Sequence, residues 1–125
     1  MNATTLAKTA YANPGQPTRT LRGTEYEIFA RVTHRLKQAA GLEKSNFPAL
    51  VRALYDNRRL WTTLAVDVAL PDNELPDTLR ARIFYLNQFT QTHSAKVLKG
   101  AATVDVLIDI NTAIMRGLRR EGGAE

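Results

Sequence analysis

Apolar residues recur at intervals of three and four in four separate windows of this sequence, and Gly and Pro lie between the windows. This spacing places side chains on one face of an α-helix. Proline lacks an amide hydrogen and glycine favours helix ends, so both residues mark boundaries between helices. No alternating pattern with a hairpin turn is present. The sequence therefore predicts an all-α fold, a bundle of four main helices with a short N-terminal helix or arm.

Capping signals predict where the helices begin and end. Thr24 and Glu27 have the spacing of a capping box, so the first main helix is expected to begin at Thr24, after an extended or mobile stretch at residues 13–22. The second is expected to begin at residues 45–48 and the third near Pro76. The other predicted boundaries are Gly41, Pro71 and Gly100 as ends, and residues 103–120 as the fourth helix. The chain is thus divided into an arm (1–22), a helical bundle domain (23–120) and a flexible tail (121–125).

The composition argues against catalysis. The 125 residues contain no Cys and only two His, His34 and His93. Disulfides, cysteine nucleophiles and cysteine zinc sites are excluded, and a histidine metal centre is hard to build. Asp105 and Asp109 share a helix face, but a two-metal site would need further ligands on facing helices. We expect a protein that is not an enzyme and that uses no metal or cofactor.

The formal net charge of +5 forms no dense basic run. Six Lys or Arg oppose two Glu in residues 1–41, and four oppose one Asp in residues 76–100. This dispersion favours a protein partner over nucleic acid. No stretch of eighteen apolar residues and no signal peptide is evident, so we expect a cytoplasmic protein without membrane insertion.

Two groups of residues are candidates for binding a partner. Arg58, Arg59 and Trp61 cluster on the second helix, and Arg and Trp dominate binding hot spots. The alternative is that Trp61 packs in the core and Arg58 links two helices by bonding Asp67 or Asp109; packing is the preferred interpretation. The third helix is apolar over more than one face, which predicts either a central position or contact with a partner through the side chains of Phe84, Tyr85 and Phe89.

Four polar residues are predicted to have structural roles. Asn111 falls on the buried seam of the last helix, where its amide must find hydrogen-bond partners and could fix the register of the helices. The full set is Asn57, Asp67, Asp109 and Asn111.

Several motifs occur in the order found in one family. Residues 25–29 read EYEIF, residues 57–61 read NRRLW, and residues 107–111 read LIDIN. With residues 72–81 and 114–118, they resemble the FlaF family, small flagellar biosynthesis regulators of alphaproteobacteria. The resemblance covers residues 5–118, and residues 83–89 depart from the family pattern.

The resemblance implies a non-enzymatic chaperone or regulator that binds flagellin and supports its production and export. FlbT and the flagellar export apparatus are further partners that it suggests. The alternative is an RNA-binding regulator of the flagellin message that neutralises phosphates. Its basic residues would be Arg19, Arg22, Arg31, Arg35, Lys37, Arg80 and Arg82.

Overall fold

The computed structural model describes the backbone of residues 17–122 and the side chains of residues 26–117. Four helices follow one another: α1 (Pro17–Ala39), α2 (Phe47–Val68), α3 (Asp77–Leu98) and α4 (Asp105–Gly122). No strand occurs within residues 17–122. The predicted all-α bundle of four helices is confirmed. The short helix predicted at residues 4–11 lies outside the described residues, as does the end of the tail.

The first helix begins earlier than predicted. α1 starts at Pro17, so residues 17–22 are helical and the extended conformation predicted for them is wrong. Proline suits the first turn, where its missing amide hydrogen has no helical partner. Thr24 and Glu27 lie inside the helix, where backbone amides already bond to the preceding turn, and they do not cap it. The boundary predicted between residues 22 and 23 therefore falls within α1. At the other end, α4 continues two residues past Arg120.

The ends of α2 and α3 follow the predicted signals. Asn46 caps α2, and its side chain accepts a hydrogen bond from the Ala49 amide. Pro48 occupies the first turn of α2, and Pro76 precedes the first residue of α3. Gly100 follows α3 with φ 80°, a left-handed conformation that glycine adopts without steric cost.

The helices pack as a bundle with one open edge. α1 packs against both α2 and α4, and α2 packs against α3, whereas α3 and α4 contact each other far less. Two apolar clusters fill the interior. The first comprises Phe29, Trp61, Leu64, Val68, Leu75, Ile83 and Ile114. The second comprises Leu36, Ala39, Leu50, Ala53, Leu54, Val97, Val104 and Leu107.

A layer of buried polar side chains separates the two clusters. Every helix contributes: the layer consists of Thr33, Asn57, Thr90, Ser94 and Asn111. Along each helix these residues lie between members of the first cluster and members of the second. We call this set the polar layer.

Asn111 is the centre of the hydrogen bonds in the polar layer. Its Oδ1 accepts from Trp61 Nε1 at 2.9 Å, and its Nδ2 donates to Thr33 Oγ1 at 3.0 Å and to Asn57 Oδ1 at 2.8 Å. The buried, bonded position predicted for Asn111 is confirmed. Because these bonds join α1, α2 and α4 at one level, a shift of any of the three helices would leave buried groups unpaired.

Arg80 fastens the start of α3 to the end of α2. Its Nε donates to the Val68 carbonyl at 2.9 Å, and its Nη2 donates to the Leu70 carbonyl at 3.1 Å. We expect Arg80→Ala to lower the free energy of unfolding by about 1–2 kcal/mol, because two charge-assisted hydrogen bonds are lost. Urea denaturation measures the change. Arg82→Ala removes an exposed cation of the same helix and should change it by less than about 0.5 kcal/mol; equal losses in both variants would contradict this role of Arg80.

Candidate partner-binding face

The exposed large apolar side chains lie on one side of the bundle. They are Phe47, Val51, Tyr55, Val66, Leu70, Phe84 and Tyr85, all from α2, α3 or the turn between them. Among side chains 26–117, none comes from α1 or α4. Contiguous exposed apolar surface is unusual on a monomer and marks a site of interaction.

Three of these residues form a stripe on α2. Phe47, Val51 and Tyr55 are spaced by four, so they follow one another along one side of the helix over about 12 Å. The Asn46 cap fixes the start of α2 and thereby places Phe47 in its first turn. Val66 lies farther along the exposed side of the same helix.

A polar clamp holds α2 and α3 side by side. Gln91 of α3 accepts from Arg58 Nε at 2.9 Å and donates to the Arg58 carbonyl at 3.1 Å and to Thr62 Oγ1 at 3.2 Å. The sequence predicted Asp67 or Asp109 as the partner of Arg58, and that prediction is wrong because the side chain extends from α2 towards α3. The clamp fixes α2 beside α3, so the exposed sides of the two helices adjoin one another.

We call this surface the α2–α3 face. Its apolar members are Phe47, Val51, Tyr55, Val66, Phe84 and Tyr85, and its basic members on α2 are Arg52, Arg58 and Arg59. Arg52 lies at the edge of the face towards α1, where it also lines a groove with Arg35 and Leu42.

The structure places the predicted binding residues in three environments. Phe84 and Tyr85 are 51% and 64% exposed, and they share the α2–α3 face with Arg58 and Arg59. Phe89 is half-buried and stacks on His93, with ring centroids 5.4 Å apart.

Trp61, the last predicted binding residue, is completely buried. It packs edge-on against Phe29 and donates its indole hydrogen to Asn111. Trp61 therefore presents no surface to a partner, and the packing interpretation is the one that the structure shows.

The stripe on α2 was not predicted from the sequence. Val51 and Tyr55 stand next to Leu50 and Leu54, which are completely buried, and all four fit a helical apolar repeat. The signal that distinguishes them is a separate spacing of four that begins at Phe47, offset by one position from the buried seam.

The predicted structural polar residues divide between core and surface. Asn57, Asp67 and Asn111 are buried, whereas Asp109 is exposed on α4 and takes no part in the core. Asp109 lies about 200° around the helix from Asn111, which points it away from the bundle. Burial raises the pKa of Asp67 to about 10, and the nearby carboxylate of Asp72 adds to the increase.

The raised pKa of Asp67 predicts a pH-dependent stability. The unfolded carboxyl loses its proton near pH 3.8, and the folded one keeps it to about pH 10. Its contribution to stability is therefore fully present below pH 3.8 and decreases as the pH rises towards 10, with a limiting slope of about 1.4 kcal/mol per pH unit for one proton. Asp67→Asn, which resembles the protonated carboxyl, should flatten the decrease in stability between pH 5 and pH 8.

Urea unfolding at pH 5, 6.5 and 8 measures this effect. Asp109→Asn serves as the matched control, since it neutralises an exposed carboxylate and should leave the slope of stability against pH unchanged. Parallel slopes for the wild-type protein and Asp67→Asn would contradict the prediction.

Two residues of the proposed RNA-binding set bond within the protein. Arg80 donates to two carbonyls at the end of α2, and Arg35 pairs with Asp56 at 3.4 Å. The side chains of Arg19 and Arg22 lie outside the described residues. The described part of the chain thus offers fewer available cations for phosphate than the sequence suggests.

The described part of the chain has neither a cluster of metal-ligating side chains nor a membrane-spanning helix. It contains no group of three or more His, Cys, Asp or Glu placed to hold a metal ion. None of its helices combines the length and apolarity needed to cross a bilayer.

Together these observations define a class: a small four-helix bundle with a polar layer inside and an apolar, arginine-bearing face on one side. The family described as flagellar protein FlaF matches residues 7–118. The chain belongs to the FlaF family, as the sequence motifs predicted. Comparison with curated proteins and with solved structures gives no match.

Proposed function

We propose that this protein is a non-enzymatic, flagellin-binding chaperone and regulator that supports flagellin production and export. Membership of the FlaF family supports a flagellar role. The observation that carries the proposal is the one-sided exposure of large apolar side chains on the α2–α3 face. Such a surface is suited to a protein partner, because binding removes it from water.

The proposed mechanism is burial of a flagellin helix on the α2–α3 face. Flagellin must be kept from assembling before export, and covering the apolar side of one of its helix-forming segments would achieve this. An amphipathic helix lays apolar side chains at every third or fourth position onto a partner's apolar surface. Phe47, Val51 and Tyr55 have the matching spacing on α2.

The protein would act in the cytoplasm by binding and release, without turnover or a cofactor. FlbT and the flagellar export apparatus are proposed as further partners, which would receive or regulate the bound flagellin.

Co-elution with purified flagellin tests the proposal. The two proteins, mixed at about 10 μM each, should elute together in size-exclusion chromatography, as expected for a micromolar or tighter dissociation constant. A mixture that elutes as two separate proteins at this concentration would contradict flagellin binding. An equal amount of the protein alone provides the reference elution volume and shows whether it self-associates.

A further inference from the structure

The charges around the α2–α3 face specify the kind of helix that it binds. We infer that the bound segment is an amphipathic helix with carboxylates beside its apolar side chains, and that these carboxylates lie over the half of the face formed by Phe47, Val51 and Tyr55. This inference rests on the proposed function for the identity of the partner, flagellin, and adds the chemistry of the segment that is bound.

The length of the face fits a helix of moderate length. The stripe begins at Phe47 and the exposed apolar residues of α2 end at Val66, nineteen positions later. At 1.5 Å per residue this is about 28 Å, so a partner helix of about five turns would cover it. The polar clamp of Arg58 and Gln91 lies between the two apolar halves.

One half of the face is basic. The exposed charged side chains of α2 are Arg52, Arg58 and Arg59, and the antiparallel α3 brings Lys96 and Lys99 to the same end. The carboxylates of α2 are turned elsewhere: Asp56 pairs with Arg35 of α1, and Asp67 is buried. The exposed charges of α2 beside the stripe are therefore all positive, and in the turn before Phe47 the exposed carboxylate of Glu43 stands next to the exposed cation of Lys44.

The opposite end of the face is acidic. Asp72, Glu74 and Asp77 are exposed in the turn between α2 and α3 and at the start of α3. They outnumber the two cations there, Arg80, which pairs with Asp77 at 3.5 Å, and Arg82. A partner helix with carboxylates over the stripe avoids this end, whereas the reverse orientation would place like charges together. The separation of charge along the face thus selects both the composition and the direction of the partner.

Arg52 and Arg59 are the recognition residues. Arg58 already donates to Gln91, whereas no hydrogen bond or ion pair within the described residues engages the exposed side chains of Arg52 and Arg59. Each guanidinium can form a bidentate pair with a carboxylate.

Two synthetic peptides test the inference with the full-length protein. Both have about twenty residues and the same leucine stripe; one has glutamates beside the stripe and the other has lysines. By fluorescence anisotropy at 50 mM salt, the glutamate peptide should bind at least about tenfold more tightly, and the difference should shrink at 500 mM salt. The double variant Arg52→Glu/Arg59→Glu should lose about tenfold in affinity for the glutamate peptide.

The control reverses the same amount of charge on a helix outside the α2–α3 face. Arg31→Glu/Lys37→Glu changes two exposed cations of α1 and should leave the affinity for the glutamate peptide within about twofold. Equal affinity for both peptides, or equal losses in both double variants, would overturn the inference. So would a 20-nucleotide RNA that binds more tightly than the glutamate peptide and loses binding in Arg52→Glu/Arg59→Glu. Dimerisation abolished by Tyr55→Asp would also overturn it, since a second copy would then cover the face.

The binding of flagellin to the wild-type protein and to the double variant distinguishes a failure of this inference from a failure of the proposed function. If flagellin binds the wild-type protein and Arg52→Glu/Arg59→Glu equally well, the inference fails and the proposed function stands. If flagellin does not bind but the glutamate peptide binds as expected, the proposed function fails and the inference stands.

Discussion

Replacing Asn111 with leucine is expected to lower the free energy of unfolding by about 3–5 kcal/mol, although leucine is apolar and similar in size. The substitution removes the acceptor of Trp61 Nε1 and the donor to Thr33 Oγ1 and Asn57 Oδ1, all in the core. Each buried polar group left without a partner costs about 1–3 kcal/mol. Urea denaturation measures the loss. Gln88→Leu, which removes an exposed amide from α3, should change stability by less than about 0.5 kcal/mol.

A double-mutant cycle with Trp61→Phe tests whether the bond between Trp61 and Asn111 accounts for part of this loss. Trp61→Phe removes the indole donor and leaves Asn111 Oδ1 without this hydrogen bond. Asn111→Leu removes the acceptor and leaves Trp61 Nε1 without it. The double variant Trp61→Phe/Asn111→Leu should therefore be more stable than the sum of the two single losses predicts, by at least about 1 kcal/mol. Additive losses, or an Asn111→Leu protein as stable as the wild type, would contradict the importance of the polar layer.

Acidic substitution of two exposed aromatic residues is expected to have the largest effect on flagellin binding. Tyr55→Asp/Phe84→Asp places carboxylates on both helices of the α2–α3 face, and each charge would have to be desolvated under a bound helix. Aromatic anchors of this kind often contribute 2 kcal/mol or more to binding, so affinity for flagellin should fall at least about 100-fold. Isothermal titration calorimetry measures the dissociation constant.

The folded state of the double variant must be preserved for this comparison. Tyr55 and Phe84 are 55% and 51% exposed, so their replacement should leave the circular dichroism spectrum unchanged. Ala113→Asp on the exposed side of α4 is the matched control and should bind flagellin as the wild-type protein does. Loss of affinity in Ala113→Asp equal to that in the double variant would contradict binding by the α2–α3 face.

Local signals predicted the helices well because helix ends depend on a few neighbouring residues. Asn46, Pro48 and Pro76 act within one turn of their own position, and the structure confirms the boundaries that they mark. The start of α1 was wrong because Thr24 and Glu27, spaced by three, are also neighbours on the side of a continuous helix. Only the backbone distinguishes the two cases, and it shows a helix from Pro17.

The polar layer was predicted in part. Asn111 stands on an apolar seam, so its burial can be read from its own helix. Its partners Thr33 and Asn57 are 78 and 54 residues away in sequence, and their approach depends on how the helices pack. The same limit explains Asp67 and Asp109: both are single carboxylates on amphipathic helices, and only the packing decides which one is buried.

The candidate face was predicted from α3 and missed on α2. Phe84 and Tyr85 were predicted because they lie outside the apolar face that α3 needs for packing in the bundle. Val51 and Tyr55 were not recognised as exposed, because they continue the same apolar repeat as the buried Leu50 and Leu54. The two pairs can be distinguished only when the side of α2 that faces α3 is known. That side is defined by the bonds of Gln91 to Arg58 and Thr62, which no local pattern reveals.

Site-specific photo-crosslinking tests most directly whether the α2–α3 face binds flagellin. A photoreactive phenylalanine derivative is introduced in place of Tyr55 in one variant and in place of Ala113 in another, and each full-length protein is irradiated with purified flagellin. We expect a covalent complex of the two proteins from the Tyr55 position and little or none from the Ala113 position. A complex from Ala113 with none from Tyr55 would contradict it.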